Sequence, residues 1–208
     1  RLPVIVSGTL TSSGRTLAGQ TIEAFYTSVA HAEPLAVSLN CSFGAKALLP
    51  YLERLAAVSE FRVAVYPNAG LPNVMGGYDE TPAMFAADVE EYMRRGLVNL
   101  VGGCCGTTPE FIKLLNSVFA GCVPGRSAHK MPSVLCTPVD FVNVDGITVV
   151  GERINPTGKK RFQQALREED MNYVLEQAVS QVEAGAQVLD VNVGAPGVDE
   201  PALMPKVV

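Results

Sequence analysis

Along the first 120 residues, short continuous apolar runs alternate with segments whose apolar residues recur every three and four positions. The runs fall at residues 3–7, 36–41, 62–66 and 97–101, each of strand length and bounded by turn-forming residues. Between them, Ile22, Phe25, Tyr26 and Val29 share one helical face, Leu52, Leu55 and Ala56 mark a second helix, and Phe85, Val89 and Tyr92 a third. Ile112, Leu115 and Phe119 give a fourth. Thr81-Pro82 and Thr108-Pro109 both read as an N-cap followed by proline at the first helical position, and Pro50 fits the opening turn of the second helix. Strands alternating with helices in this way predict a parallel α/β sheet, either doubly wound or rolled into a (β/α) barrel.

The pattern breaks at residues 121–138. This stretch holds Pro124, Gly125, Ser127, Pro132 and Pro138, has no apolar period, and reads as an interdomain linker. Beyond it, Asp145-Gly146 between the apolar runs 141–144 and 147–150 predicts a hairpin. A polar loop follows at 151–158, then a helical segment carrying Val174, Ala178, Gln181 and Val182, then a strand over 187–191. The organisation expected is therefore a first domain over 1–120, a linker over 121–138 and a second domain from 139 to 208.

Composition narrows the function classes. With 208 residues and 48% apolar content the chain is long enough to bury a core, and no apolar run reaches the length that spans a bilayer. A net charge of −5 without a basic cluster argues against a nucleic-acid surface. Five cysteines, an odd count, and no secretory leader point to a reducing, cytoplasmic setting with free or metal-bound thiols. Arg1 and Val208 each lie close to a strand, so the chain is expected to be a piece of a longer protein, inactive when isolated.

The chemistry concentrates in Val101-Gly102-Gly103-Cys104-Cys105-Gly106-Thr107-Thr108-Pro109. Adjacent side chains on a regular strand point to opposite faces, whereas a glycine-flanked turn can aim two neighbouring sulfurs at one point. Cys41, ending another apolar run, is the candidate third thiol. Three thiolates leave a fourth tetrahedral position for water or substrate, which is how a catalytic zinc is built, and the CxxC pairs of structural zinc knuckles do not occur. Inert core cysteines, a vicinal disulfide and a redox pair are the competing readings. Cys41, Asn68, Cys104 and Cys105 all fall just past predicted strand ends, the face on which a barrel assembles its active site, and this favours the barrel. Cys122, Cys136, His31 and His129 carry no assigned role.

The segment 102–109 resembles the signature of the homocysteine S-methyltransferase family. That resemblance implies zinc held by Cys41, Cys104 and Cys105. The loop Pro67-Asn68-Ala69-Gly70-Leu71-Pro72 is also similar to the family's, which implies that Asn68 is a displaceable zinc neighbour until homocysteine arrives. Two further stretches, Gly151-Glu152-Arg153-Ile154-Asn155-Pro156-Thr157-Gly158 and residues 184–194, are similar to the opening of the pterin-binding barrel, known also from dihydropteroate synthase. The order of the two is that of the cobalamin-dependent methionine synthase family.

The fold implied is (β/α)8, of the TIM-barrel type: the C-terminal half of one barrel plus the first units of a second. The reaction implied is methylation of homocysteine, with methyltetrahydrofolate as donor and cobalamin, on a domain outside this chain, as carrier. A homocysteine methyltransferase using another donor and a non-catalytic zinc-binding module are the alternatives. A pterin ring presents an amide-like edge, so Asp190 and Asn192, two apart on one strand, and Glu152 and Asn155, at another strand end, are its candidate partners. Asn155 before Pro156 would equally shape a turn.

Overall fold

Val37, Leu39, Val63 and Val65 are fully buried on the faces of two adjacent strands, and the first half of the molecule is laid down around them. The computed structural model describes residues 2–122 and 132–208. Residues 123–131, which hold much of the expected linker and His129, lie outside the described residues, as does Arg1. The elements are β1 (Ile5–Gly8), α1 (Ile22–Ala30), β2 (Ala36–Gly44), α2 (Ala45–Val58), β3 (Arg62–Asn68), α3 (Pro82–Arg94), β4 (Leu100–Val101) and α4 (Pro109–Phe119). There follow β5 (Val134–Cys136), β6 (Phe141–Asn143), β7 (Val150–Ile154), α5 (Lys160–Glu168), α6 (Met171–Glu183), β8 (Val188–Val191) and α7 (Glu200–Val207). The chain divides into two compact units, residues 1–141 and 142–208.

In the first unit the sheet order is β1-β2-β3-β4 with every pair parallel. The chain thus moves one place in the same direction at each crossover. With right-handed crossovers, that order lays the connecting helices on one face. It lacks the reversal of strand order that defines a doubly wound sheet. Successive helices pack on one another, α1 on α2, α2 on α3 and α3 on α4. The result is a mixed α/β unit with a parallel sheet, of the kind TIM-barrel-type enzymes use. Among the described residues the sheet is open, with β1 and β4 at its edges. Tyr26, Leu48, Leu52, Leu55, Phe85 and Tyr92 fill the layer between sheet and helices. Glu23 on α1, buried under the helices, takes the Arg54 guanidinium of α2, with Nε–Oε1 at 2.7 Å.

The strand–helix order agrees with the sequence pattern, and its departures have local causes. Pro50 does not open α2 but sits inside it, because the helix starts at Ala45 and so brings Ala45 and Leu48 onto the buried face. The fourth strand begins at Leu100 rather than 97. The Asn99 side chain, not a backbone carbonyl, takes the Val63 N–H at 3.0 Å, and this delays regular pairing. On α4 the buried face is Phe111 and Leu115, while Ile112 is exposed; Phe111 meets the Phe85 ring edge-on at 5.4 Å. Thr81 caps α3 by accepting the Met84 N–H at 3.3 Å, whereas Thr108 holds the extended cap conformation without a side-chain bond.

The expected hairpin at Asp145-Gly146 does not form. A two-residue I′ turn needs positive φ at both central positions, and neither residue has it. Asn143 instead accepts the Asp145 N–H at 2.8 Å in a local turn, β6 pairs with β5, and β7 pairs in parallel with β8. Val139 returns to the first unit, where its carbonyl accepts the Thr21 N–H and a bond from Arg15.

The second unit is built on β7 and β8, with Ile154, Phe162, Leu166, Val174, Val193 and Leu203 as its core. Helices α5 and α7 stand where the sequence reading placed none. Phe162, Ala165 and Leu166 are the buried stripe of α5, a helical spacing interrupted by charged and amide residues. α7 is capped by Asp199 and buries Leu203. Between the pairs Gly151↔Leu189 and Ile154↔Val191 the register slips by one residue. Glu152 and Arg153 therefore both face solvent, contrary to strand alternation. The amide of buried Gln181 on α6 holds this bulge, its Oε1 accepting the Arg153 N–H at 2.6 Å and its Nε2 donating to the Gln177 carbonyl at 2.9 Å. Among the described residues no helix is long and apolar enough to cross a membrane.

Replacing Gln181 with Leu keeps the volume and removes the acceptor, leaving the Arg153 N–H unpaired. The second unit is expected to lose about 1–3 kcal/mol. The check is hydrogen exchange across β7 and α6, which should quicken; unchanged protection would show that the amide does not hold the bulge.

Candidate metal centre

The three cysteines come from two strand ends that flank β3. β2 would carry Cys41 onto the same face as Val37 and Leu39, the face packed against helices, if alternation continued. It does not continue. Between the pairs Asn40↔Tyr66 and Gly44↔Asn68 β2 spends four residues against two on β3, and Cys41 and Ser42 both take left-handed backbone angles, φ 61° and 65°. For residues with a Cβ this conformation costs roughly 1–3 kcal/mol each and persists only where neighbours enforce it. Here the neighbours come from the start of the chain: Ser7 and Thr9 donate to the Asn40 side-chain Oδ1 at 2.6 and 3.3 Å, and Ser42 donates to the Leu10 carbonyl.

The other two thiols are set by a ladder that outlasts the regular strands. Gly102 N–H donates to Val65, Cys104 N–H to Pro67, and Ala69 N–H to Cys105, at 3.0, 2.8 and 2.9 Å. Thr107 then folds back, its N–H and hydroxyl both reaching the Cys104 carbonyl. Its side chain fills the space a Cβ on Gly103 would need, only 2.5 Å away. Gly106 closes the turn with φ +79°, a conformation suited to glycine.

The outcome is a cluster. Cys41 Sγ lies 3.4 Å from Cys105 Sγ, and Cys104 Sγ lies 3.9 Å from Cys105 Sγ. All three sulfurs fall within 4.8 Å of one another, and all are free thiols. Zinc–sulfur bonds of about 2.3 Å in a tetrahedral site place neighbouring thiolates roughly 3.8 Å apart, so the donor set fits zinc in type and spacing. Cys105 is exposed and the other two partly so, which leaves an open side.

Electrostatics separates the thiols. For Cys41, burial is the largest influence and opposes ionisation. Hydrogen bonds from the Ser42 backbone, Cys105, Cys104 and the Asn68 side chain together outweigh it, so this thiol lies below its ordinary value. Cys104 is pushed up to about 11, first by burial, then by its bonds to Cys41 and Cys105 and the charge on Cys41. Asn68, buried at the end of β3, accepts the Cys105 N–H on Oδ1 at 3.1 Å. It thus stands between the two halves of the cluster, with its carbonyl oxygen engaged by the protein backbone.

Tyr78 was not among the residues singled out from sequence. Its ring lies over Gly106, the residue after Cys105. Only the spacing of a tyrosine behind a glycine pair, in the loop after β3, could have drawn attention to it.

In the second unit the predicted residues gather less tightly. Asn155 donates its amide to Glu152, and Lys159 Nζ lies 4.0 Å from the same carboxylate. Asn155 Oδ1 accepts the Thr157 N–H at 3.0 Å, so it also shapes the turn. Asn192 Oδ1 accepts the Gly194 N–H at 2.8 Å. Asp190 is exposed on β8, and among the described residues no hydrogen bond joins it to Glu152, Asn155 or Asn192.

Residues 1–119 match the family model of homocysteine S-methyltransferase, and the chain belongs to that family. Residues 151–208 match the model of pterin binding enzymes. A homocysteine S-methyltransferase domain followed by a pterin-binding domain is the arrangement of methionine synthase. The pair supports a methyl-transfer role in which homocysteine and a pterin or folate are the substrates.

In the metal-free chain Cys41 should be alkylated well before Cys104. At a pH between the lowered Cys41 value and about 11, Cys41 is already thiolate while Cys104 still holds its proton, and the thiolate is the nucleophile. Peptide mapping after brief iodoacetamide treatment checks the order; Cys104 reacting first would contradict it.

Proposed function

We propose that the chain is part of a methionine synthase in which homocysteine receives the methyl group of methyltetrahydrofolate by way of cobalamin carried on a domain outside residues 1–208. In this reading the four-stranded sheet is the C-terminal half of a (β/α)8 barrel and the second unit belongs to the opening of a pterin barrel, the domains running over 1–120 and 139–208 with a linker over 121–138 between. The observation that carries it is the convergence of Cys41, Cys104 and Cys105 from two strand ends onto one open point. These three are the zinc ligands. Bound there, zinc would supply the Lewis acidity that lets a substrate thiol shed its proton near neutral pH.

The protein's own groups do the rest. The backbone strain at Cys41 and Ser42 directs the first sulfur out of the core, and the ladder to β3 fixes the other two. Asn68 is the displaceable neighbour. To offer Oδ1 to the metal it would first release the Cys105 N–H, and its exchange for homocysteine would restore that bond. On the pterin side, Asp190 is assigned to the donor edge of the ring, with Asn192, Glu152 and Asn155 as its companions at the ends of β7 and β8.

Zinc content and sulfur coordination test the first site. Cys104→Ser should remove most of the metal, because a hydroxyl is a harder and poorer ligand. Adding homocysteine should raise the zinc–sulfur coordination seen by X-ray absorption from three to four. A closed, non-catalytic module would keep its ligands unchanged. Stoichiometric zinc after replacement of all three cysteines would overturn the ligand assignment.

The two sites should also fail separately. In the full-length enzyme, Asp190→Asn turns an acceptor-only carboxylate into a group that also donates, a mismatch worth about 1–3 kcal/mol against a buried donor edge. Folate affinity should fall roughly ten- to a hundredfold while zinc and homocysteine binding hold. Intact folate affinity, or loss of zinc as well, would sink this division.

A further inference from the structure

The loop after β3 is more rigidly organised than its composition suggests, and its order ends on one side chain. Asn73 N–H donates to the Gly77 carbonyl at 2.8 Å, and Asn73 Oδ1 accepts both the Met75 and Gly77 N–H groups, at 3.0 and 2.9 Å. Its amide nitrogen reaches Asp79 at 2.8 Å, and Gly76, with φ +78°, donates back to the Asn73 carbonyl. Pro72 and Tyr78 are bridged at the base of this small loop. The loop tip, Val74 and Met75, is exposed, whereas Tyr78 is half-buried and packed against the core of the first unit. The bonds around Asn73 therefore deliver Tyr78 to a fixed place.

That place is the turn that carries the thiols. A Cβ built on Gly106 would lie 2.3 Å from Tyr78 Cγ and within 2.7 Å of both Cδ atoms, so the ring lies flat on the Gly106 backbone. Gly106 directly follows Cys105, the most exposed of the three cysteines. The ring thus meets the backbone of the same short turn that carries Cys104 and Cys105.

We infer that Tyr78 is a positioning residue for the thiol cluster: its ring, seated on Gly106, walls one side of Cys105 and holds that sulfur toward Cys41 and Cys104. The metal arm of this inference rests on the zinc reading above; the geometric arm does not. A large side chain over an otherwise exposed ligand limits the directions the ligand can swing. Partners that orient a metal ligand in this way typically change metal affinity ten- to a hundredfold when removed.

The test uses the 208-residue chain and its Tyr78→Ala and Tyr78→Phe variants. In the metal-free state, labelling of each cysteine by N-ethylmaleimide is followed by peptide mapping, with the distant, exposed Cys122 as reference. Tyr78→Ala should raise the Cys105 rate several-fold and leave Cys41 and Cys104 near their original rates, and Tyr78→Phe, which keeps the ring, should restore most of the wild-type pattern. An unchanged Cys105 rate, or an equal rise at all three cysteines, overturns the inference. In the loaded state, chelator competition should show zinc held about ten- to a hundredfold more weakly by Tyr78→Ala, with an altered thiolate charge-transfer band after cobalt(II) substitution. Wild-type zinc affinity and an unaltered band in Tyr78→Ala overturn it too. If the wild-type chain takes no zinc, the metal reading falls, and the labelling pattern still decides whether Tyr78 sets the position of Cys105.

Discussion

The backbone bonds that continue past the ends of β3 and β4 hold the site together. Pro67 receives the Cys104 N–H, Cys105 receives the Ala69 N–H, and Asn68 receives the Cys105 N–H through its side chain. These bonds make the Cys104-Cys105 turn an extension of the sheet rather than a free loop. A turn fixed on both sides can present two neighbouring sulfurs in one direction, which neither a strand nor a mobile loop would do. The seat for Tyr78 on Gly106 and the approach of Cys104 and Cys105 to Cys41 depend on this turn.

Strain at the end of β2 is the complement of that order. Left-handed angles at two consecutive residues with side chains are unfavourable, and they occur where the first sulfur must leave the core-facing side of its strand. The segment before α1 supplies the restraint through Ser7, Thr9 and the Leu10 carbonyl. The role of the first strand is therefore partly to keep its neighbour in an unfavourable shape.

The sequence made the alternation of strands and helices legible because apolar period is a local signal, strong for β2, α1, α3 and β3. It also exposed the thiols, since two cysteines between glycines are hard to explain by packing alone. What it could not carry was three-dimensional compensation. Asn99 replacing a backbone acceptor and Gln181 holding a bulge both depend on partners remote in sequence. The hairpin expected at Asp145-Gly146 failed for the same reason: the strands on either side found other partners, β5 and β8. Helix α5 was legible in principle, through Phe162, Ala165 and Leu166, but its charged neighbours masked the stripe. Tyr78 carries little local signal beyond its place behind a glycine pair, since its seat is a glycine in a different loop.

The sulfur cluster draws its members from β2 and β4, with β3 lying between and contributing none. An ion held there would act as a staple across three strands, closing a loop of the chain that runs through two helices. Closing such a loop removes freedom chiefly from the unfolded chain, so part of the binding energy is also folding energy. The site would then serve the protein mechanically as well as chemically: metal supply would set how firmly the open end of the sheet resists fraying, and starvation for metal would be felt first as instability.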